Sequence, residues 1–189
     1  MNGKRAFFCL LLLASILTTG FAHSTAVQGS VTISYSFSHL FRIASNQYAI
    51  WIEDANGVLV RTLFVTSFVS KKMGWKSRPQ AVPTWTKVAN ITNLSPKDLD
   101  AVSGATPKSG TYSLVWHLLD SKGKLVPLGT YRYFVEGNIY WENRVLWSGS
   151  ITIGGQAQAS QAEPSYNPAD AEKLGTLISK VSAVYTPGK

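Results

Sequence analysis

The chain has 189 residues, with 18 Lys and Arg against 10 Asp and Glu, 45% hydrophobic and 15% charged positions, one Cys and six Trp. That length fits one domain of modest size, and 12% aromatic residues supply more core material than a wholly disordered chain carries. A single cysteine excludes an intrachain disulfide framework, a Cys-ligated zinc site and a Cys-held iron–sulfur cluster, and low charge with many aromatics points to a β-rich domain.

At the amino terminus Lys4 and Arg5 precede an apolar run over residues 6–17 and small residues over 18–24, the pattern of a secretory signal peptide with cleavage after Ala22. The apolar run is shorter than the roughly 20 residues a spanning helix needs. Removal of residues 1–22 takes away Lys4, Arg5 and Cys9, leaving 16 basic against 10 acidic residues and a formal charge of +6. The mature protein is therefore expected to be exported, soluble and thiol-free.

Residues 30–37 alternate, with Val31, Ile33, Tyr35 and Phe37 on one face and Thr32, Ser34 and Ser36 on the other, which predicts a half-buried strand. Residues 47–53 and 58–65 predict two more strands joined through Asp54-Ala55-Asn56-Gly57, where Asn56 and Gly57 are able to take the positive φ of a tight hairpin. Residues 70–91 gather Lys71, Lys72, Lys76 and Arg78 with Trp75 and Trp85, and Pro79 and Pro83 interrupt any ladder, so this stretch is read as a long loop with room for a helical turn at its end. Ser95-Pro96 is a helix start, Ser as cap and Pro at the first helical position, for a turn running to about Asp100. Strand character resumes over 112–119; a turn is expected over 120–124, then a strand over 130–136 with Tyr131, Tyr133 and Val135 opposed to Arg132 and Phe134, and a last strand over 144–153. Residues 156–170, rich in Ala, Gln, Ser and Pro, read as a linker. In residues 171–189, Leu174, Leu177, Ile178, Val181 and Val184 fall at helical spacing and predict a carboxy-terminal amphipathic helix. The expected architecture is an all-β sandwich over residues 23–155, followed by linker and helix.

Ser109-Gly110-Thr111-Tyr112, Trp116, Asp120-Ser121-Lys122-Gly123 and Pro127-Leu128-Gly129-Thr130-Tyr131 resemble the immunoglobulin-like module of the flagellar hook-capping protein family. The resemblance implies an immunoglobulin-like β-sandwich in which Trp116 fills the space between sheets, and it speaks to fold alone. The wider chain, from about Val31 to Ile153, with the pattern Trp51-Ile52-Glu53-Asp54 through Trp116 to Trp147-Ser148-Gly149, resembles a family of predicted periplasmic proteins called domain of unknown function 2271, a name that confers no activity.

The segment Asp100-Ala101-Val102-Ser103-Gly104-Ala105-Thr106-Pro107-Lys108 carries the sharpest chemical signal. It resembles the flavinylation motif, Asp-x-x-Ser/Thr-Gly-Ala-Thr, of FMN-binding domains in bacterial sodium-pumping and electron-bifurcating redox complexes. There a flavin transferase uses FAD to place FMN, through its phosphate, on the final Thr. The resemblance implies Thr106 as the attachment residue, Asp100 and Ser103 as recognition or positioning residues, and Gly104 and Ala105 as small neighbours that keep the backbone accessible. The residue types suit the reaction: a phosphoester needs a reachable hydroxyl, little steric bulk beside it and free backbone N–H groups, and Lys108 is placed to pair with the phosphate. Trp75 and Trp85 are candidates to stack on the isoalloxazine ring, with Lys71, Lys72, Lys76 or Arg78 to meet the charge of its reduced form; the competing reading makes the tryptophans core and the cations solvated surface. The function expected on this reading is a carrier with covalent FMN on Thr106, serving envelope or membrane redox proteins as donor and acceptor, with no nucleic acid among its partners.

Other classes leave weaker marks. Cleavage after Ala22 exposes His23, and copper monooxygenases acting on polysaccharides clamp their metal with an amino-terminal His and a second His, for which only His39 and His117 are available. No Gly-x-Ser-x-Gly or His-Glu-x-x-His stands in the chain. The alternative to the flavoprotein is a non-catalytic immunoglobulin-like binding or assembly module of the periplasm, without cofactor.

Overall fold

The computed structural model describes residues 29–71 and 74–188; the signal-peptide expectation, Cys9, His23 and Lys72 lie outside them. Among the described residues ten strands form two sheets: β1 (Ser30–Phe37), β2 (Gln47–Glu53), β3 (Leu59–Thr66), β4 (Ser103–Gly104), β5 (Gly110–Trp116), β6 (Gly129–Tyr140), β7 (Asn143–Ile153), β8 (Gln158–Gln161), β9 (Glu163–Asn167) and β10 (Ile178–Thr186). One sheet has the order β5-β1-β10-β8 and the other β4-β3-β2-β6-β7-β9. The pairings are antiparallel apart from β3 with β4, which run parallel.

The period-two patterns become the core between the sheets. Val31, Ile33, Tyr35 and Phe37 of β1 all point inward, as do Tyr131, Tyr133 and Val135 of β6, while Trp116 closes edge-on against Tyr131 with ring centroids 5.1 Å apart. The β2–β3 hairpin turns as expected at Asp54–Gly57, with one refinement: only Gly57 takes positive φ, at 79°, because Asp54 Oδ1 accepts from the backbone N–H groups of Asn56 and Val58 and holds the rest of the turn.

The six-stranded sheet has a second buried face. Trp51 and Phe134 stack across it at 5.0 Å, and the chain between β3 and β4 folds back over them as α1 (Ser67–Ser70), α2 (Gly74–Ser77), α3 (Pro83–Val88), a 3₁₀ turn at Ile91–Asn93 and α4 (Pro96–Val102). The expected long loop is therefore a layer of short helical turns. Pro83 opens α3 where its missing N–H costs nothing. Two further backbone N–H groups there, of Thr84 and Trp85, donate to the buried carboxylate of Glu136 at 3.1 and 2.9 Å. Burial raises the Glu136 pKa, opposed by these bonds and by Arg144, whose Nε lies 3.5 Å away.

Two expectations for the carboxy terminus are corrected. Residues 156–170 are not a linker: β8 joins β10 and β9 joins β7, both as edge strands. A strand paired on one side tolerates polar residues and even Pro164, which removed the usual sequence mark. Residues 171–189 do not form an amphipathic helix. A 3₁₀ turn spans Ala169–Leu174, and β10 follows at Ile178–Thr186, a central strand between β1 and β8. A bulge at Lys180, with φ at 53°, shifts the register between β1 and β10, so the buried residues run Ile178, Val181, Ala183, Tyr185. A three-residue step in a strand imitates helical periodicity.

Candidate functional site

The motif segment sits where the helical layer returns to the sheet. Ser95 caps α4: its Oγ accepts from the Asp98 backbone N–H at 3.2 Å and donates to Asp98 Oδ2 at 2.6 Å. The helix runs past Asp100 to Val102, two residues further than the sequence suggested, and puts Asp100 on the surface, paired with Lys71 Nζ at 3.0 Å. Ser103 and Gly104 then add a short parallel edge strand to β3, opposite Val65 and Thr66. The Ser103 hydroxyl lies 2.5 Å from Ser70 Oγ and also bonds to the Leu99 carbonyl, locking the end of α4 to the end of α1.

Gly104 is required by close approach. A Cβ there would collide with the Phe64 ring, which is itself stacked on Tyr48 at 4.8 Å. Beyond it the chain has no regular secondary structure through Ala105, which is exposed, and Thr106, which is half-buried rather than fully exposed. Lys108 is exposed, and its carbonyl accepts the Tyr112 hydroxyl at 2.7 Å, while Ser109 Oγ accepts the His39 backbone N–H at 2.9 Å. Both ends of the stretch around Thr106 are thereby anchored to the sandwich.

Beside the motif opens a cleft of about 650 Å³. Its walls are mainly apolar, from Trp75, Ile91, Leu94, Pro96 and Leu99, and its polar residues are Ser70, Lys71, Lys76, Thr92 and Asp100. Trp75 is half-buried, with Lys76 Nζ 5.2 Å from its ring centroid. A largely apolar cleft with a few polar groups at its rim is the usual form of a small-molecule site. Asp100 of the motif lines it directly, and Ser103 touches it through Ser70; Gly104, Ala105, Thr106 and Lys108 are not among its walls.

The aromatic-basic candidates separate here. Trp75, Lys71 and Lys76 face the cleft, whereas Trp85 is fully buried under the helical layer, its indole N–H donating to Thr62 Oγ1 at 3.0 Å. Trp85 has no ring face to offer a ligand, and the core reading of it is the one the structure supports. Arg78 also turns away: its guanidinium donates to Asn138 Oδ1 at 2.6 Å and lies over the rings of Phe68 and Trp141, and burial lowers its pKa. The sequence reading missed the apolar walls Ile91, Leu94 and Leu99. Their signal was present, since they lead directly into Asp100.

His117 and His39 are both exposed, on β5's end and the β1–β2 loop, and among the described residues no group of three or more His, Cys, Asp or Glu is arranged to hold a metal. No helix of the described residues is long and apolar enough to cross a membrane. A family model described as a predicted periplasmic protein, DUF2271, matches residues 29–167. No curated protein and no solved structure matches the chain.

Proposed function

The chain belongs to the DUF2271 family of predicted periplasmic proteins, and from that premise we propose that it is exported by a cleaved amino-terminal signal and carries FMN covalently on Thr106, passing electrons between envelope redox partners. The family's description agrees with an extracytoplasmic setting, where a tethered flavin is retained and a dissociable one is lost to dilution.

The observation that carries the reading is the placement of the whole Asp-x-x-Ser-Gly-Ala-Thr sequence. It straddles a helix end, an edge strand and an irregular stretch anchored at both ends, beside a cleft with an aromatic wall and exposed cations. Those residues fit the group. The cleft is apolar enough for a fused ring system, Lys71 and Lys76 supply positive charge, and Ala105 leaves little bulk beside Thr106.

In the attachment step the Thr106 hydroxyl oxygen attacks the phosphorus of the FMN half of FAD, held by the flavin transferase. The new O–P bond replaces one P–O bond of the pyrophosphate, AMP leaves with that bond pair, and the hydroxyl proton passes to the transferase or to water. Asp100, exposed near the end of α4, is the residue the transferase reads, and Ser103 positions the motif by holding α4 to α1. Bound flavin supplies a two-electron couple that is able to release electrons one at a time. The protein on this account is a carrier and a transferase substrate, not an enzyme with a substrate of its own.

A cofactor-free binding module has one observation in its favour: Phe41 and Ile43 on the β1–β2 loop are 98% and 73% exposed, apolar groups that a partner protein would cover. Co-production with a flavin transferase separates the two readings. Fluorescence of the denatured band in a gel, absent from Thr106→Ala, supports the flavoprotein, and a dark band from folded, exported protein refutes it.

A further inference from the structure

Resting on the FMN reading above, we infer that the cleft beside α4 is the seat of the isoalloxazine ring, with Trp75 as its stacking wall and Lys71 and Lys76 as the groups that bias the bound ring toward its reduced form. Thr106 and its immediate neighbours do not wall any part of the cleft, which meets the motif at Asp100. The sheet topology joins the two. β4 runs parallel to β3, so the chain leaving Gly104 toward Thr106 emerges at the same end of the sheet as the chain leaving Thr66 into α1, which leads to Ser70 and Lys71 on the cleft wall.

The reach is short. Asp100 lines the cleft, and the chain from there to Thr106 spans at most about 17 Å, counting two helical steps and every later step at full extension. A ribityl phosphate arm with its ring is of that scale. The floor of Ile91, Leu94 and Leu99 offers an apolar surface to the ring, and the half-buried Trp75 offers an indole at the same opening. Reduction by two electrons and one proton leaves the ring with one negative charge. Lys71 and Lys76 at the rim meet that charge, while Asp100, at 3.0 Å from Lys71, tempers it.

The test uses full-length protein flavinylated in cells, as wild type, Trp75→Ala and Lys71→Gln/Lys76→Gln. Intact mass first establishes that each carries FMN. Emission of the folded wild type is expected to be quenched several-fold relative to the same sample denatured, since an indole in contact with a flavin quenches it. Trp75→Ala is expected to keep the mass and lose most of the quenching. In the double lysine variant, whose replaced side chains are both exposed, the midpoint potential is expected to fall by about 30 mV, a tenfold loss of preference for the reduced form of a two-electron couple. This second measurement stands even where Trp75→Ala does not fold. Full mass gain with unchanged quenching in folded Trp75→Ala, or with an unchanged potential in the lysine variant, overturns the ring site alone. Absence of any mass gain in the wild type overturns the FMN reading and the ring site with it.

Discussion

Replacing Trp85 by Phe tests whether the helical layer is fastened to the sheet as described. Trp85 is fully buried and its indole N–H is bonded to the Thr62 hydroxyl, itself 9% exposed. Phenylalanine keeps an aromatic ring but removes the donor, and leaving a buried hydroxyl without its partner costs about 1–3 kcal/mol. The smaller ring also leaves on the order of 40 Å³ unfilled, worth about 1 kcal/mol at ~24 cal/mol per Å³. The expected loss is about 2–4 kcal/mol, which for a urea slope of ~2 kcal/mol per molar moves the unfolding midpoint down by roughly 1–2 M. The assay is urea unfolding followed by circular dichroism, with Thr62→Val and the double variant completing a cycle. Because the double variant removes both partners, its cost should fall short of the summed single costs by about 1 kcal/mol. A midpoint shift within error, or strict additivity, refutes the assignment of Trp85 as the anchor. The flavin properties of Trp85→Phe should stay those of the wild type, the reverse of the pattern expected for Trp75.

Gly104→Val drives a side chain into the Phe64 ring, which its stack on Tyr48 keeps from yielding, and should cost about 1–3 kcal/mol in thermal unfolding. Two carboxylates should shape the pH dependence of stability in opposite senses. Burial raises the pKa of Glu136, so its contribution is full below the ordinary Glu value and is lost as pH rises through the raised one; Glu136→Gln should abolish that decline in urea midpoints taken across pH. Asp120 is depressed, first by the backbone N–H of Lys124 and also by that of Lys122, so its contribution is present above the ordinary Asp value and is lost as pH falls through the depressed one; Asp120→Asn should flatten the acid limb of the same profile. Asp100→Asn removes an ion pair between exposed side chains, worth at most about 1 kcal/mol, so the melting temperature should hold while the flavinylated fraction measured by mass falls.

Much of the sandwich was legible in the sequence because half-buried antiparallel strands write their environment with period two. Val31 through Phe37 did so without interruption, Tyr131, Tyr133 and Val135 did so on the face between the sheets although Phe134 is buried on the opposite face, and Ser95 with Pro96 marked the start of α4. Legibility failed where a strand departs from that rule. β10 carries a bulge at Lys180 that converts its spacing to a helix-like one, although Ile178, Val181, Val184 and Thr186 hold the β-branched residues a strand favours. β8 and β9 are edge strands with one partner each, so their polar residues and Pro164 gave no hydrophobic alternation to read. In the candidate site, the motif and its flanking cations stood in the sequence. What separates Trp75 at the cleft from Trp85 in the core is tertiary: Trp85 lies over Thr62 of β3, and no local pattern encodes that pairing.

The central claim is that Thr106 bears FMN, and intact mass of the mature protein recovered from cells that also produce a flavin transferase tests it most directly. The account predicts a mass above that of the polypeptide by FMN less one water, located by peptide fragmentation to Thr106 and missing from Thr106→Ala. A folded, exported protein whose mass equals that of the unmodified chain contradicts it.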